Sequence, residues 1–202
     1  MQLRHTSQLT GEDYVKQEAW KSASLEKCPW HPDGGCGFAR HTPYPRVEPP
    51  GMKVARWYCE VAHATVSLLP DFLASRLSST LAQVEEVAKA VEQRGASLEA
   101  VATELRPRVE LQGAVRWVRR RVAAVAAVLK ALKGLRPDVF AEVAPTLDAF
   151  RSALGAAVLP ALRDLAGAQL ASVPPPVGFG HHHHAGKTGR GRRQHEAGAD
   201  PP

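Results

Sequence analysis

Cys28, Cys36 and Cys59 are the three cysteines of this chain, and His31, His41 and His63 lie among them: C-P-W-H-P-D-G-G-C, a gap of twenty-two residues, then C-E-V-A-H. Thiolates and imidazoles gathered on either side of an extended segment are the donors of a structural zinc site, which holds four such ligands in a tetrahedron. An odd number of cysteines suits a disulfide framework poorly. Four ligands are needed and five candidates exist. Thiolates dominate structural zinc sites, so Cys28, Cys36 and Cys59 come first, and His63, four residues after Cys59, is the natural fourth. His31 is the alternative. Cys28-x2-His31 is a commoner turn spacing than Cys28-x7-Cys36, so whether His31 or Cys36 completes the first turn stays open. His41 falls in the extended segment and reads as a surface residue.

The elements that position these ligands follow from the residues between them. Pro29, Pro32, Gly34 and Gly35 make a tight turn at the first cluster. Phe38 to Arg46 reads as an extended segment, which Pro43 and Pro45 confine to an edge because neither donates a ladder hydrogen bond. Glu48-Pro49-Pro50-Gly51 signals a turn, and Met52 to Tyr58 reads as a second strand that runs directly into Cys59. Two ligand-bearing turns joined by a hairpin form a zinc ribbon over residues 27–76. A fragment of about 40 residues buries too little apolar surface to fold alone. Metal binding, on the order of 10–16 kcal/mol in zinc-finger peptides, offsets that deficit. Residues 1–26 are expected to be a loosely attached polar lead-in, with a short helix near Glu12 to Trp20.

Several residues here resemble the N-terminal zinc ribbon of insertion-sequence transposases and their accessory proteins. They are Cys28-Pro29, Arg40, Tyr44, Arg56-Trp57-Tyr58-Cys59 and the following Thr65-Val66-Ser67-Leu68-Leu69-Pro70. That family commonly has C-x2-C at each turn and Thr-Phe-Ser close behind the last ligand. In this chain Ala62 stands where the second cysteine of the later pair is expected, His63 follows it, and Val66 replaces Phe. The resemblance covers roughly residues 27–76. It implies a structural Zn2+, DNA as the partner and a separate transposase catalytic subunit.

Residues 77–136 are helical by pattern. Ser79 or Thr80 caps a helix to about Gln93, with Leu81, Val84, Val87, Ala88 and Val91 on one face. Ser97 caps a second, bearing Leu98, Val101, Ala102 and Leu105 and ended by Arg106-Pro107. A third runs from about Leu111 to Lys133. A short helix followed by a long one suits a helix-turn-helix, whose last helix lies in the major groove. The segments G-x-S-L-x-x-V-A (Gly95–Ala102) and R-W-V-R-R-R (Arg116–Arg121) resemble DNA-binding regions of transposases. Charge points the same way. Nine basic residues between Arg106 and Arg136 face one acid, Glu110, whereas residues 82–105 carry five glutamates against Lys89 and Arg94. Arg116, Arg119 and Arg120 share a face at i, i+3 and i+4, with Arg121 beside them, and this group is the expected phosphate-contacting surface.

The same helix carries a heptad seam, Val115, Val118, Val122, Val125, Leu129 and Leu132, which can pack within the chain or pair two copies. The competing reading is therefore a zinc-stabilised helical adapter that assembles through the Val115–Leu132 seam without specific DNA binding. Residues 137–172 continue as amphipathic helices that Pro145 and Pro160 break or kink. Residues 173–202 form a His/Arg/Gly-rich tail, including His181–His184, that is expected to be disordered.

The net charge of +6 and pI near 9.5 favour polyanionic partners. The N-terminus lacks the apolar core of a signal peptide. The longest apolar run, Val122 to Leu129, is far shorter than the roughly 20 residues a membrane span needs, so a cytoplasmic protein is expected. Transposase chemistry requires three metal-binding carboxylates held by a large mixed fold. Asp138, Glu142, Asp148 and Asp164 fall on short helices instead, so no enzyme is expected. The expected fold is mainly α: a small zinc-ribbon β-hairpin, a helix-turn-helix-like helical domain and a disordered basic tail.

Overall fold

The structure is a computed structural model that describes residues 1–94 and 97–180; the His181–His184 run and the basic segment after it lie outside the described residues. Four strands, β1 (Gln2–His5), β2 (Ala39–Pro45), β3 (Lys53–Cys59) and β4 (Ala64–Pro70), form one sheet in the order β1-β4-β3-β2. β1 runs parallel to β4, whereas β4 with β3 and β3 with β2 are antiparallel. The expectation of a mainly α chain with a single hairpin is thus corrected to a mixed α/β fold built on a four-stranded mixed sheet. The expected hairpin is its β2-β3 half. β4 escaped the periodicity argument because Val66 to Pro70 are all buried, and a strand covered on both faces shows an unbroken run instead of alternation. β1 is a short edge strand with no alternation to read.

That edge strand also corrects the expectation for residues 1–26. The Met1 amino group donates to the Thr65 carbonyl at 2.8 Å. α1 (Gly11–Lys16) starts at Thr10, whose hydroxyl accepts the Asp13 N–H at 3.1 Å. Tyr14, Trp20 and Ala23 are buried with Met52, Val54, Trp57, Val66 and Leu68 in the core under the sheet. Arg40 of β2 fastens this segment by donating to the Ala23 carbonyl at 2.7 Å and to the Trp20 carbonyl. The segment is part of the sheet's core.

The helices are α2 (Leu81–Arg94), α3 (Leu98–Leu105), α4 (Leu111–Leu135), α5 (Pro137–Phe140), α6 (Leu147–Leu154) and α7 (Val158–Ala166). Thr80 and Gln83 form a reciprocal capping box at α2: the Thr80 hydroxyl accepts the Gln83 N–H at 3.1 Å, and Gln83 Oε1 accepts the Thr80 N–H at 2.8 Å. The Ser97 hydroxyl caps α3 by accepting the Ala100 N–H at 3.2 Å. The seam of α4 is spent inside this chain. Val115 and Val118 pack with Val87, Val101 and Ala102, while Val125, Leu129 and Leu132 join Leu81, Val84, Phe140, Phe150 and Leu162. Pro160 is the third residue of α7, where the backbone N–H has no acceptor within the helix, so it sits without a break.

Residues 173–180 are likewise ordered and buried, contrary to expectation. Val173 and Val177 belong to the helical core. Arg163, 1% exposed, donates to the carbonyls of Val177 at 2.9 Å, Pro176 at 2.7 Å, Asp71 at 2.7 Å and Leu73 at 2.6 Å. One guanidinium thus ties this last segment to the loop that leaves β4. No described helix is long and apolar enough to cross a membrane.

Candidate metal centre

Antiparallel pairing of Ala39 with Tyr58 brings the chain entering β2 beside the end of β3, where Cys59 stands. The loop from Cys28 to Gly37 then folds back over this end of the hairpin. Two tight turns start it: the His31 N–H donates to the Cys28 carbonyl at 3.3 Å and the Gly34 N–H to the His31 carbonyl at 3.1 Å. Gly34, Gly35 and Gly37 have φ of 91°, 73° and 63°, left-handed values that a Cβ would strain. They turn the chain sharply enough for Cys36 to return to Cys28.

Cys28, His31, Cys36 and Cys59 each present a donor atom, and all four atoms lie within 4.8 Å of one another. His31 Nδ1 is 3.7 Å from Cys28 Sγ and 3.4 Å from Cys59 Sγ. Tetrahedral bonds of about 2.3 Å to sulfur and about 2.0 Å to nitrogen place S and N roughly 3.5 Å apart, so these separations suit ligands of one ion. The three cysteines are buried and unbridged, and Trp30, Phe38 and Ala62 pack around them. These four side chains can bind a metal.

The electrostatics fit that use. Burial opposes ionisation of Cys28, yet hydrogen bonds from His31, the backbone of Trp30 and His31, and Cys36 bring its thiol down to about 7. Cys36 is pushed up to about 11 by burial and by the neighbouring Cys28 and Cys59. Metal binding needs cysteine as thiolate, and a divalent ion among the sulfurs favours that form. The Ala62 N–H donates to Cys59 Sγ at 3.4 Å, an orienting contact of the kind that holds metal thiolates.

His63 is not brought to the cluster. It is exposed at φ 45°, with Nδ1 3.4 Å from the Tyr58 hydroxyl. His31 stands at the fourth place of the cluster, and Cys36 and His31 are both present in it instead of one replacing the other. Ala62, where a second cysteine was expected, packs against the sulfurs instead. One residue further on, His63 has already turned away. The Cys28-x2-His31 spacing was the signal that favoured His31. His41 is exposed, with Nδ1 2.9 Å from Arg56 Nη2.

Of the expected DNA-contacting residues, Arg116, Arg119 and Arg120 are exposed on α4, on a stripe continued by Gln112, Ala123, Ala126 and Lys130. Arg121 is not part of it. It is 3% exposed, donates to Ser79 Oγ at 2.6 Å and stacks 3.7 Å from the Trp117 ring centroid. No spacing rule separates it from its neighbours; its inward turn depends on Ser79 and Trp117.

Protein-family models, curated proteins and solved structures were all compared with the chain, and none matches it.

Proposed function

We propose that this chain binds DNA, with a structural Zn2+ on Cys28, His31, Cys36 and Cys59 fixing the ligand end of the β2-β3 hairpin and the basic face of α4 contacting the duplex. The observation that carries the proposal is the exposed arginine group on α4. Arg116, Arg119 and Arg120 project from one side of a helix whose other side is buried. Twenty-five residues at about 1.5 Å each make α4 roughly 37 Å long, enough to lie along a major groove. Small residues at Ala123 and Ala126 leave the rest of the stripe smooth, and Lys130 extends its charge.

Three thiolates and one imidazole complete a tetrahedron, which is the closed coordination of a structural zinc centre and leaves no place for a substrate. The metal's role in this reading is to hold the loop and the hairpin together.

Fluorescence anisotropy with a labelled duplex tests the assignment. Nanomolar to micromolar binding is expected, falling steeply with salt. Changing Arg116, Arg119 and Arg120 together to Ala is expected to flatten the log K against log[salt] slope by about three phosphate contacts' worth, near 2.7. Binding with an unchanged slope in that variant sinks the reading.

A further inference from the structure

The exposed face of α4 does not account for Arg121. Its guanidinium is buried, yet among the described residues no carboxylate lies within ion-pair distance of it. Its partners are neutral: Ser79 Oγ at 2.6 Å and the Trp117 carbonyl at 3.3 Å, while its Nε is buried with no hydrogen-bond partner among the described residues. Burial first, then Arg106 and Arg120, pull its pKa down to about 10, against an opposing effect of Glu48. A buried cation held by neutral groups beside further cations is costly unless an anion completes it.

The space for such an anion adjoins it. Arg121 lines a cleft of about 310 Å³ between α4 and the connection that leads into α2, together with Arg76, Ser78, Arg116, Trp117 and Arg120. Among the described residues, four guanidiniums line the cleft and no acidic side chain does. Its size lies at the lower bound of ordinary small-ligand pockets, about 300 Å³, which suits a phosphate group and the sugar that bears it. Guanidinium is the side chain best matched to phosphate oxygens, because its planar fork donates two parallel hydrogen bonds.

We propose that this cleft binds one phosphate group of a nucleotide unit, with Arg121 as the buried counter-charge and Arg76, Arg116 and Arg120 closing around it. The phosphate belongs either to a DNA backbone, in which case the site rests on the DNA-binding reading, or to a free nucleotide, in which case it does not. Arg76 lies off the α4 stripe, so it separates the cleft from the general basic face.

The test uses the full, metal-loaded chain. Titration calorimetry with inorganic phosphate and with a deoxynucleoside 5′-monophosphate, at constant ionic strength in chloride, is expected to give saturable binding at one site. Binding is expected to weaken at least tenfold in Arg121→Met and several-fold in Arg76→Gln. Arg76 is exposed, so its variant keeps the test valid if Arg121→Met does not fold. Saturable phosphate binding that a DNA duplex competes away, with duplex affinity also reduced by Arg76→Gln, supports a backbone phosphate as the occupant. Saturable phosphate binding in a chain that binds no duplex supports a free nucleotide and removes the DNA reading while keeping the cleft. Absence of saturable phosphate binding, together with duplex affinity unaffected by both substitutions, overturns the cleft and leaves the DNA reading standing.

Discussion

Glu85 and Glu92 stand seven residues apart on α2, and each receives the N-terminus of a later helix. Glu85 accepts the Val158 and Leu159 N–H groups of α7 at 3.0 and 2.9 Å, and Glu92 accepts the Leu147 and Asp148 N–H groups of α6 at 2.9 and 3.0 Å. Seven residues are nearly two helical turns, so both carboxylates lie on one face and act as remote caps, Glu85 for α7 and Glu92 for α6. Helix N-termini favour negative charge as well as hydrogen-bond acceptors.

The two caps differ in burial, and their substitutions should differ accordingly. Glu85 is 4% exposed and also takes Arg151 at 2.9 Å, so Glu85→Ala leaves two backbone donors and a guanidinium unsatisfied. A loss of about 3 kcal/mol is expected. Glu92 is exposed, and water replaces it, so Glu92→Ala should cost about 1 kcal/mol, as an ordinary cap does. Urea denaturation of the two variants measures this. Equal losses would show that burial does not set the difference.

Gly178 tests whether residues 173–180 belong to the core. A Cβ on Gly178 would lie 2.1 Å from the Val173 carbonyl oxygen and 2.6 Å from its carbon, both backbone atoms with no room to yield. Gly178→Ala is therefore expected to destabilise the fold by about 2–3 kcal/mol through overpacking. The same substitution at exposed Gly134, which a Cβ would leave without close neighbours, should be neutral or slightly stabilising because alanine is the better helix former. Thermal unfolding of both variants makes the comparison, and an unchanged midpoint for Gly178→Ala would contradict the packing described.

The choice of ligands predicts metal content directly. Zinc measured by mass spectrometry on purified protein is expected at one equivalent per chain. It should fall well below one in His31→Ala and in Cys59→Ser, and should stay at one in His63→Ala. Retention in His31→Ala with loss in His63→Ala would reverse the assignment.

The ligand types and the helices were legible in the sequence for different reasons. Cysteine and histidine near tight turns announce a metal whatever the fold, and Ser97 announces a helix start because its hydroxyl needs only a backbone N–H three residues on. Choosing between His31 and His63 needed more, since it turns on the backbone at His63, whose φ of 45° points the chain away. β4 was hidden for another reason. Its buried run depends on Tyr14 and Trp20, which lie more than forty positions earlier in the chain, so no local window contains it. The inward turn of Arg121 is of the same kind. Its partner Ser79 is forty-two residues away, and R-W-V-R-R-R by itself presents three equivalent arginines after the tryptophan.

Removing the metal should separate the two parts of the molecule. The sulfurs are surrounded by Trp30, Phe38 and Ala62, none of which belongs to the helical core of α2, α4, α6 and α7. Metal withdrawal is therefore expected to free the Cys28–Gly37 loop and the adjoining ends of β2 and β3 without exposing that core. Hydrogen exchange after chelation should show amides of Ala39, Tyr58 and Cys59 losing protection by at least a hundredfold, while those of Val125 to Leu132 change little. Collapse of protection across α4 on chelation would mean that the metal stabilises the whole chain as one unit.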